Sequence, residues 1–239
     1  MLCCAEQREM RVGEHTKGIL NDLWKVSPMA TTSSAAAVVS IAEGAMVCDG
    51  AAAKPPYRGS GTAGATLAGD ITIGPDTVVF PGAQIRCCEG AGPVVIGRGC
   101  VLEEGACLVN VGPGEMRVGD GNLFEVGCVV RAQKVGNFNT FQPKCEVGQG
   151  VTVASGCSIA PTVVLDVALE LEDNCSVFRL GGAVDEYSIQ RRPRNTETNR
   201  ARVNSYRTAL ASQGKKYYLG KFNELLPPSS ASPSTAAET

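Results

Sequence analysis

The sequence has little of several features that point to a familiar class of protein. Aromatic residues make up 5% of its 239 residues, the formal net charge at pH 7 is −2, and there is a single histidine, His15. A charge so close to zero gives no electrostatic reason to expect nucleic acid or an anionic membrane as the main partner. No apolar run approaches the roughly 18 residues that a membrane-spanning helix needs. Two short basic clusters are interpreted as solvated surface: Arg191, Arg192 and Arg194, and Lys215 with Lys216.

Glycine and cysteine, in contrast, are abundant. The chain contains 28 Gly and 11 Cys, and 44% of its residues are hydrophobic. A compact domain of this size usually fills its core with several large rings. Here Val, Ile, Leu, Ala and Cys must form the core, so we expect a narrow core that repeats along an axis. The odd number of cysteines and their spacings do not match a disulfide framework, which indicates reduced thiols in the cytosol.

A six-residue repeat of aliphatic or aromatic residues runs through most of the chain. A helix would place apolar residues about every 3.6 positions and a half-buried strand would alternate strictly, so neither explains this spacing. A small or modest side chain stands four positions after many of these residues. The repeat positions are Ile41, Val47, Ile73, Val79, Ile85, Ile96, Leu102, Leu108, Val118, Phe124, Val130, Val135, Phe141, Val147, Val153, Ile159, Leu165, Leu171 and Val177.

Period six predicts a three-sided coil. An extended segment of four or five residues makes one flat wall, and one or two turn residues begin the next. Three such hexapeptides close a coil of about 18 residues, stacked roughly 4.8 Å from its neighbour. The aliphatic residue points inward, and Gly or Asn at the corners supplies backbone conformations that β-branched residues resist. We therefore predict an all-β fold, a single-stranded parallel β-helix over residues 41–182.

Adjacent coils in register predict ladders of identical side chains. The repeat shortens by one residue between Val130 and Val135, so residues 17 apart across this point lie on adjacent coils, and beyond it the offset is 18. The predicted pairs are Phe124 with Phe141, Asn122 with Asn139, Cys128 with Cys145, and Cys157 with Cys175. In-register parallel strands favour such stacking. The cysteines are interpreted as small inward-facing hydrophobic side chains rather than a metal site, because no finger-like CxxC spacing or histidine accompanies them.

Three insertions interrupt the repeat, at Asp49 to Thr66, Glu89 to Pro93 and Gly112 to Glu115. Loops on solenoids project to one side and often carry binding residues. The Ala-Lys-Pro-Pro composition of the longest insertion is at least as typical of flexible filler. A β-helix also has exposed strand edges at its two ends, which favours docking onto a related β-helix or capping by another protein.

Residues 1–40 are predicted to be an extension that is largely disordered or appended. Its longest apolar stretch is too short for a signal-peptide core, and Glu6, Glu9 and Glu14 argue against an acid-poor transit peptide. Met29 is a second candidate start, which would leave residues 1–28 outside the functional protein.

A C-terminal α-helix is predicted over residues 194–226, packed alongside the β-helix and weakened or split by Gly214 and Gly220. Its apolar residues fall on one face, which should cover apolar surface of the prism. Residues 227–239 are rich in Pro, Ser, Thr and Ala and are predicted to be disordered, with Ser232 as a candidate phosphorylation site. The helix residues that share a face are Val203, Tyr206 and Leu210, and further on Tyr218, Phe222 and Leu225.

No catalytic, cofactor-binding or metal-binding residue is predicted. The acyltransferases that share this repeat use a histidine as general base, and their γ-class carbonic anhydrase relatives bind a metal through three histidines. His15 lies outside the repeat, so the coils cannot form a three-histidine site. Ser155 and Ser158 have no histidine in the repeat to activate them. Five carboxylates are interpreted as solvated outward side chains: Glu103, Glu104, Glu170, Glu172 and Asp173.

The stretch from Gly69 to Gly74, Gly-Asp-Ile-Thr-Ile-Gly, resembles the opening of the γ-carbonic-anhydrase motif. In that motif an arginine precedes the Gly-Asp pair, whereas here the residue is Ala68. The family's ligand histidine position falls near Arg86 and Cys87. The alternative function is therefore a degenerate γ-carbonic-anhydrase-like or acyltransferase-like enzyme, which would bind metal or acyl-CoA.

Two longer blocks carry a more specific resemblance. Residues 96–104 read Ile-Gly-Arg-Gly-Cys-Val-Leu-Glu-Glu, and residues 118–128 read Val-Gly-Asp-Gly-Asn-Leu-Phe-Glu-Val-Gly-Cys. With the Glu-Gly-Ala-Gly-Pro segment at 89–93 and the repeat opening at 41–48, they resemble the dynactin subunit 6 (p27) family of hexapeptide-repeat left-handed β-helix proteins. The resemblance covers roughly residues 41–192. It departs in the long insertion, in the loop around Gly112, in the N-terminal extension and in most of the tail.

The resemblance implies left-handed coils and a non-catalytic subunit of dynactin, the cofactor of cytoplasmic dynein. In this family the subunit pairs with its sister β-helix, dynactin subunit 5 (p25), at the pointed end of the actin-like filament, beside Arp11 and p62. The pointed-end complex is associated with cargo selection in microtubule-based transport. The implied location is the cytoplasm and cytoskeleton, within a hetero-oligomer, with no cofactor, nucleic acid or membrane insertion.

Overall fold

Three sheets form the walls of a prism in the computed structural model, which describes residues 8–10, 38–47, 64–180 and 187–209. The first face contains β2 (Val39–Ile41), β5 (Ile71–Ile73), β8 (Val94–Ile96), β11 (Met116–Val118), β14 (Lys134–Val135), β17 (Val151–Val153) and β20 (Leu169–Leu171). The second contains β3 (Met46–Val47), β6 (Val78–Val79), β9 (Val101–Leu102), β12 (Leu123–Phe124), β15 (Thr140–Phe141), β18 (Ser158–Ile159) and β21 (Cys175–Arg179). The third contains β4 (Thr66–Ala68), β7 (Gln84–Cys87), β10 (Cys107–Asn110), β13 (Val129–Val130), β16 (Glu146–Val147) and β19 (Val164–Leu165).

Each circuit of the chain adds one strand to each face. Strand neighbours within these three faces are parallel, and six successive circuits place a strand on every face before β20 and β21 begin a seventh. The architecture is the predicted single-stranded left-handed parallel β-helix. In the described ranges, no helix is long and apolar enough to span a membrane.

The predicted inward positions form the core. Each lies opposite its counterpart on the next coil, as Ile73 does with Ile96 and Leu108 with Val130. From Val47 onward, none of these residues is more than 5% exposed. Burying one aliphatic side chain stabilises a fold by about 1.5 to 3 kcal/mol. Leu67 is a further inward residue that the six-residue count missed, because Thr66, assigned to the long insertion, begins β4.

The predicted ladders are confirmed. The Phe124 and Phe141 rings stack with centroids 4.8 Å apart and planes 4° from parallel. The backbone N–H of Asn139 donates to Asn122 Oδ1 at 2.9 Å. The strand registers place Cys128 beside Cys145 and Cys157 beside Cys175, and all four thiols are buried.

The corners require left-handed backbone. At the corner between the first and second faces, one residue per coil has a positive φ, and it is a glycine on four coils. Phe138 takes this conformation with φ 54°, which costs a residue with a Cβ atom roughly 1–2 kcal/mol. The residues in this column are Gly44, Asp76, Gly99, Gly121, Phe138, Gly156 and Asn174. The prediction of Gly or Asn at corners therefore holds for five of these seven positions, and Phe138 needs a separate explanation.

The two shorter insertions lie on adjacent coils and bond to each other. Asn110, fully buried, donates from Nδ2 to the carbonyls of Gly92 at 2.8 Å and Gly114 at 2.7 Å. Its Oδ1 accepts the backbone N–H of Gly112 at 3.1 Å. One amide thus bonds both loops, a contact that the sequence analysis did not predict.

The chain ends differ from the repeat. Strand β22 (Tyr187–Arg191) runs antiparallel to β21, and β1 (Arg8–Met10) runs antiparallel to β22. Three residues of the extension predicted to be largely disordered therefore form a strand. Residues 48–63, which include most of the long insertion, and the remainder of residues 1–37 lie outside the described residues. Helix α1 (Asn195–Ala209) begins one residue after the predicted start, and the positions beyond Ala209, including Leu210 and Ser232, also lie outside them.

Candidate interaction surface

An arginine and a cysteine, Arg86 and Cys87, stand where the γ-carbonic-anhydrase motif would supply a histidine ligand. The Arg86 guanidinium lies 4.0 Å from Cys107 Sγ, and Cys87 Sγ donates to the Asp70 carbonyl at 3.3 Å. Among the residues that the structure describes, no three His, Cys, Asp or Glu side chains come close enough to hold a metal ion. The single histidine, His15, lies outside them.

Ser155 and Ser158, the two serines considered for catalysis, make hydrogen bonds within the scaffold. Ser155 Oγ accepts the backbone N–H of Asn137 at 3.1 Å, and Ser155 N–H donates to Asp173 Oδ1 on the next coil at 2.8 Å. Ser158 Oγ donates to Asn199 Oδ1 at 3.1 Å. Both hydroxyls therefore bridge neighbouring segments, and Asp173, expected to be solvated, bonds its neighbouring coil while remaining exposed.

Burial suppresses the reactivity of the stacked thiols. Burial raises the pKa of Cys100 and of Cys157 to about 12, and it also raises the pKa of Cys175. The pKa of Cys128 is raised because of its hydrogen bond with Cys145 and its burial. Only the thiolate is nucleophilic, so these side chains behave as small hydrophobic groups at neutral pH.

Thiol labelling of the folded protein checks this reading. At pH 7.5 iodoacetamide is expected to modify exposed Cys88 while leaving the buried thiols unmodified until urea unfolds the chain, because burial shields them from the reagent. The raised pKa of Cys100 and of Cys157 also leaves these two side chains with almost no thiolate. Peptide mass spectrometry before and after urea measures each site. The protected thiols are Cys100, Cys128, Cys145, Cys157 and Cys175. Rapid native modification of Cys128 or Cys157 would contradict the buried ladder.

Helix α1 packs alongside the β-helix, as predicted, and the face that it covers is the second. Val203 is buried against Val101 and Leu123, and Tyr206 is partly buried beside them. Asn199 Nδ2 donates to the carbonyls of Phe138 and Cys157, both at 3.0 Å. One helix side chain therefore bonds carbonyls on two successive coils, which anchors the helix to the second face.

Phe138, which takes the strained corner conformation, contacts the same helix through its ring. The Arg200 guanidinium carbon lies 4.3 Å from the centroid of the Phe138 ring, a cation–π contact. On the neighbouring coil, a Cβ atom on Gly121 would lie 2.6 Å from the ring, so only glycine fits there. Composition gave no signal for this pairing, because Arg200 lies 62 residues further along the chain.

Glu103 is a correction to the sequence analysis. It was expected to be solvated, but Glu103 and its neighbour on the next coil, Glu125, are each only 7% exposed. Glu103 Oε2 accepts the backbone N–H of Val126 at 2.9 Å. Arg202 Nη2 lies 2.5 Å from Glu125 Oε1, and Tyr206 hydrogen-bonds Glu103. The helix therefore covers two stacked carboxylates, pairing Glu125 with the Arg202 cation and Glu103 with the neutral Tyr206 hydroxyl.

Burial raises the pKa of Glu125, and Arg202 opposes that rise only in part. The pKa of this carboxyl is therefore higher in the folded protein than in the unfolded protein. Its contribution to the free energy of unfolding is fully present below its unfolded pKa and is lost as the pH rises through its folded pKa. Glu125→Gln is therefore expected to lose less thermal stability between pH 4 and pH 7 than the wild type. Melting temperatures of the wild type and the variant across that range measure how steeply stability depends on pH. The matched control is Glu172→Gln, because Glu172 is exposed. Equal slopes in all three proteins would contradict the assignment.

One end of the prism is open in the described part of the chain. Strands β2, β3 and β4 end their sheets, with a strand neighbour on one side only. Val38, Val39 and Met46 are exposed there by 59%, 42% and 40%. A groove of about 420 Å³ adjoins this end, with Met46 and Val78 on one wall and Arg207 on the other. An apolar strand edge of this kind is a surface for another polypeptide.

Comparison with known proteins identifies the family. No protein-family model matches the chain. Dynactin subunit 6 of Danio rerio is 34% identical over 152 residues, which are 59% of this chain and 70% of that protein. The chain belongs to the dynactin subunit 6 family. Dynactin subunit 6 of Xenopus tropicalis is 35% identical over 151 residues, 59% of this chain and 67% of that protein, and supports the same membership.

A solved structure supports the architecture of this dynactin subunit 6 family member. The crystal structure of a hexapeptide transferase family protein from Anaplasma phagocytophilum matches with a TM-score of 0.57 and 14% sequence identity, covering 73% of this chain and 92% of that chain. At this identity the likeness shows the fold alone.

Proposed function

We propose that the protein is a non-catalytic subunit of the dynactin complex. Its membership in the dynactin subunit 6 family carries this proposal, because the relatives that match over about two thirds of their length bear that name. A dynactin subunit acts with cytoplasmic dynein, so we place the protein in the cytoplasm on the cytoskeleton, in microtubule-based transport.

Within dynactin, we assign it a scaffolding and cargo-adaptor role in the pointed-end complex. Its partners there are the sister β-helix dynactin subunit 5 (p25), Arp11 and p62. The parallel in-register coils support this role, since a rigid prism offers long flat walls and strand edges for other chains. The side chains of the coil interior support a non-enzymatic role, because they are aliphatic, aromatic or thiol groups. The two serines first considered for catalysis support it as well, because both are hydrogen-bonded within the scaffold.

Affinity purification from the source organism tests the proposal. The tagged full chain is expected to recover Arp11, p62 and the sister β-helix in equal amounts. A comparison variant replaces Phe124 and Phe141 by alanine together, which removes the central core ring pair, destabilises the prism and should reduce recovery if the folded prism is what binds. A homotrimer with stoichiometric zinc, or saturable acyl-CoA binding without any dynactin subunit, would overturn the proposal in favour of an enzyme.

A further inference from the structure

Helix α1 carries a serine that follows two arginines at a fixed spacing. Residues 200–206 read Arg-Ala-Arg-Val-Asn-Ser-Tyr, which places Arg202 three residues and Arg200 five residues before Ser205. Ser205 is the one serine or threonine of the 239 residues that has arginine at both positions, and the apolar ring of Tyr206 follows it directly. Protein kinases that select substrates by charge bind guanidinium groups at this spacing through carboxylates of their substrate groove. The run is therefore the recognition pattern of an arginine-directed serine kinase.

The Ser205 hydroxyl is available for modification. Ser205 is exposed on α1, and no hydrogen bond links its hydroxyl to another residue in the described part of the chain. Two threonines of the same helix, in contrast, bond the helix backbone. Thr198 Oγ1 donates to the Arg194 carbonyl at 3.1 Å, and Thr208 Oγ1 donates to the Asn204 carbonyl at 2.9 Å. Of these three hydroxyl groups, that of Ser205 is the one that loses no hydrogen bond within the described chain when it accepts a phosphoryl group.

Both arginines of the pattern hold the helix on the second face. The Arg200 guanidinium carbon lies 4.3 Å from the centroid of the Phe138 ring. Arg202 Nη2 lies 2.5 Å from Oε1 of Glu125, which is only 7% exposed. The same guanidinium groups cannot contact the wall and the carboxylates of a kinase at once. The pattern is therefore accessible to a kinase only in a local opening in which α1 leaves the second face.

A phosphate on Ser205 would compete with Glu125 for Arg202. Residues three apart on a helix are neighbours, so the phosphate lies beside Arg202, whose side chain is 47% exposed. A phosphoserine carries a charge of about −1.5 to −2 at pH 7 and three acceptor oxygens, against the single charge of a carboxylate. Glu125 would then be a buried carboxylate without its ion-pair partner. Such a group is strongly unfavourable, and it regains water only when the helix moves away.

Three carboxylates lie around the residue that follows Ser205. Burial raises the pKa of Tyr206, and so do its hydrogen bond with Glu103 and the negative charges of Glu103, Glu104 and Glu125. A phosphate on the adjacent residue would bring a further anion to this cluster. Like-charge repulsion would therefore act against docking in addition to the loss of the Arg202 contact.

We propose that Ser205 is phosphorylated by an arginine-directed serine kinase and that the phosphate releases helix α1 from the second face. In the transfer, a bond forms between Ser205 Oγ and the γ-phosphorus of ATP, while the bond from that phosphorus to the β–γ bridging oxygen breaks. ADP leaves, and the hydroxyl proton passes to a base of the kinase. Release uncovers Val101 and Leu123, which are buried against Val203 of the docked helix. The modification thus converts a covered wall into an exposed apolar surface.

Phosphorylation of the full chain by purified protein kinase B with ATP tests the site. Peptide mass spectrometry is expected to find phosphate on Ser205 and none on Thr198 or Thr208, and Ser205→Ala should remain unmodified in this helix. Phe138→Gly fits the left-handed backbone of its corner and removes the Arg200 contact, so Ser205 should be phosphorylated roughly two- to fivefold faster in that variant. The absence of phosphate on Ser205 in both proteins would overturn the site. Equal rates in both would overturn the competition between docking and recognition.

Hydrogen exchange of a chain with phosphoserine incorporated at position 205 during translation tests the release without a kinase. Amides of residues 199–206 are expected to exchange about tenfold faster than in the unmodified chain, since a hydrogen-bonded charge pair is lost. In the matched Glu125→Gln variant, Arg202 has no carboxylate at position 125 to leave, so the same phosphate should change exchange by less than about threefold. Unchanged exchange in the wild-type background would overturn the release. An equal acceleration in Glu125→Gln would overturn the competition for Arg202.

Discussion

Replacing Phe124 by alanine is expected to lower the free energy of unfolding by about 3 to 5 kcal/mol. Phe124 is fully buried, and its ring stacks on Phe141 with a centroid distance of 4.8 Å. The neighbouring strands are held by backbone hydrogen bonds between coils, such as Glu125 N–H to the Phe141 carbonyl at 2.8 Å. The walls therefore cannot collapse into the space that the ring leaves. Urea unfolding followed by circular dichroism and by tyrosine fluorescence measures the loss.

A double-mutant cycle separates the ring–ring term from cavity formation. Phe141→Ala alone should cost a similar amount, and the two single losses should exceed the loss in the double variant by about 0.5 to 1.5 kcal/mol, the range for stacked rings. Val126→Ala is the control on the same pair of coils, because Val126 is 45% exposed, and it should change stability by less than about 0.5 kcal/mol. Strictly additive single losses would show that the two rings do not interact.

The core could be predicted because coil stacking imposes one rule on every coil. An inward residue such as Ile96 has the same environment as Ile73 and Val118 on either side, so the sequence repeats wherever the geometry repeats. Leu67 escaped because the long insertion that follows Val47 breaks the six-residue count, and Thr66, assigned to that insertion, begins β4. In the structure Leu67 still pairs in register with Ile85 on the next coil, although the six-residue spacing does not continue across the insertion.

Features set by partners distant in sequence could not be predicted. Glu103 stands at an outward repeat position, and only the docking of Tyr206, 103 residues later, removes it from water. The pairing of β22 with β21 is antiparallel, whereas the described strands of the repeat pair with one another in parallel. The sequence analysis did not single out Asn110, whose buried amide bonds both short insertions because these lie on adjacent coils. In each case the cause is a contact between segments that no local pattern encodes.

Asn122→Ala is expected to destabilise the protein by about 3 kcal/mol or more, since each buried polar group left without a partner costs about 1 to 3 kcal/mol. Asn122 Nδ2 donates to the carbonyls of Gly119 at 2.8 Å and Gly136 at 2.9 Å, while Oδ1 accepts the N–H of Asn139. Asn139 Oδ1 then accepts the N–H of Cys157 at 2.6 Å. One amide therefore links backbone groups on neighbouring coils. Its removal also takes away the acceptor that holds the backbone of Asn139, the next amide in the ladder.

Asn137→Ala is the matched control for this prediction. Asn137 Oδ1 also accepts a backbone N–H from a neighbouring coil, that of Asp120 at 2.7 Å, but both residues reach solvent. Water can replace the lost acceptor there, so the cost should stay near 0.5 to 1 kcal/mol, about that of one solvated hydrogen bond. The urea midpoints of the two variants compare the same asparagine-to-alanine change at a buried site and at an exposed site. If both variants lose the same stability, the buried amide ladder contributes no more than an exposed corner contact, and coil register must depend on side-chain packing alone.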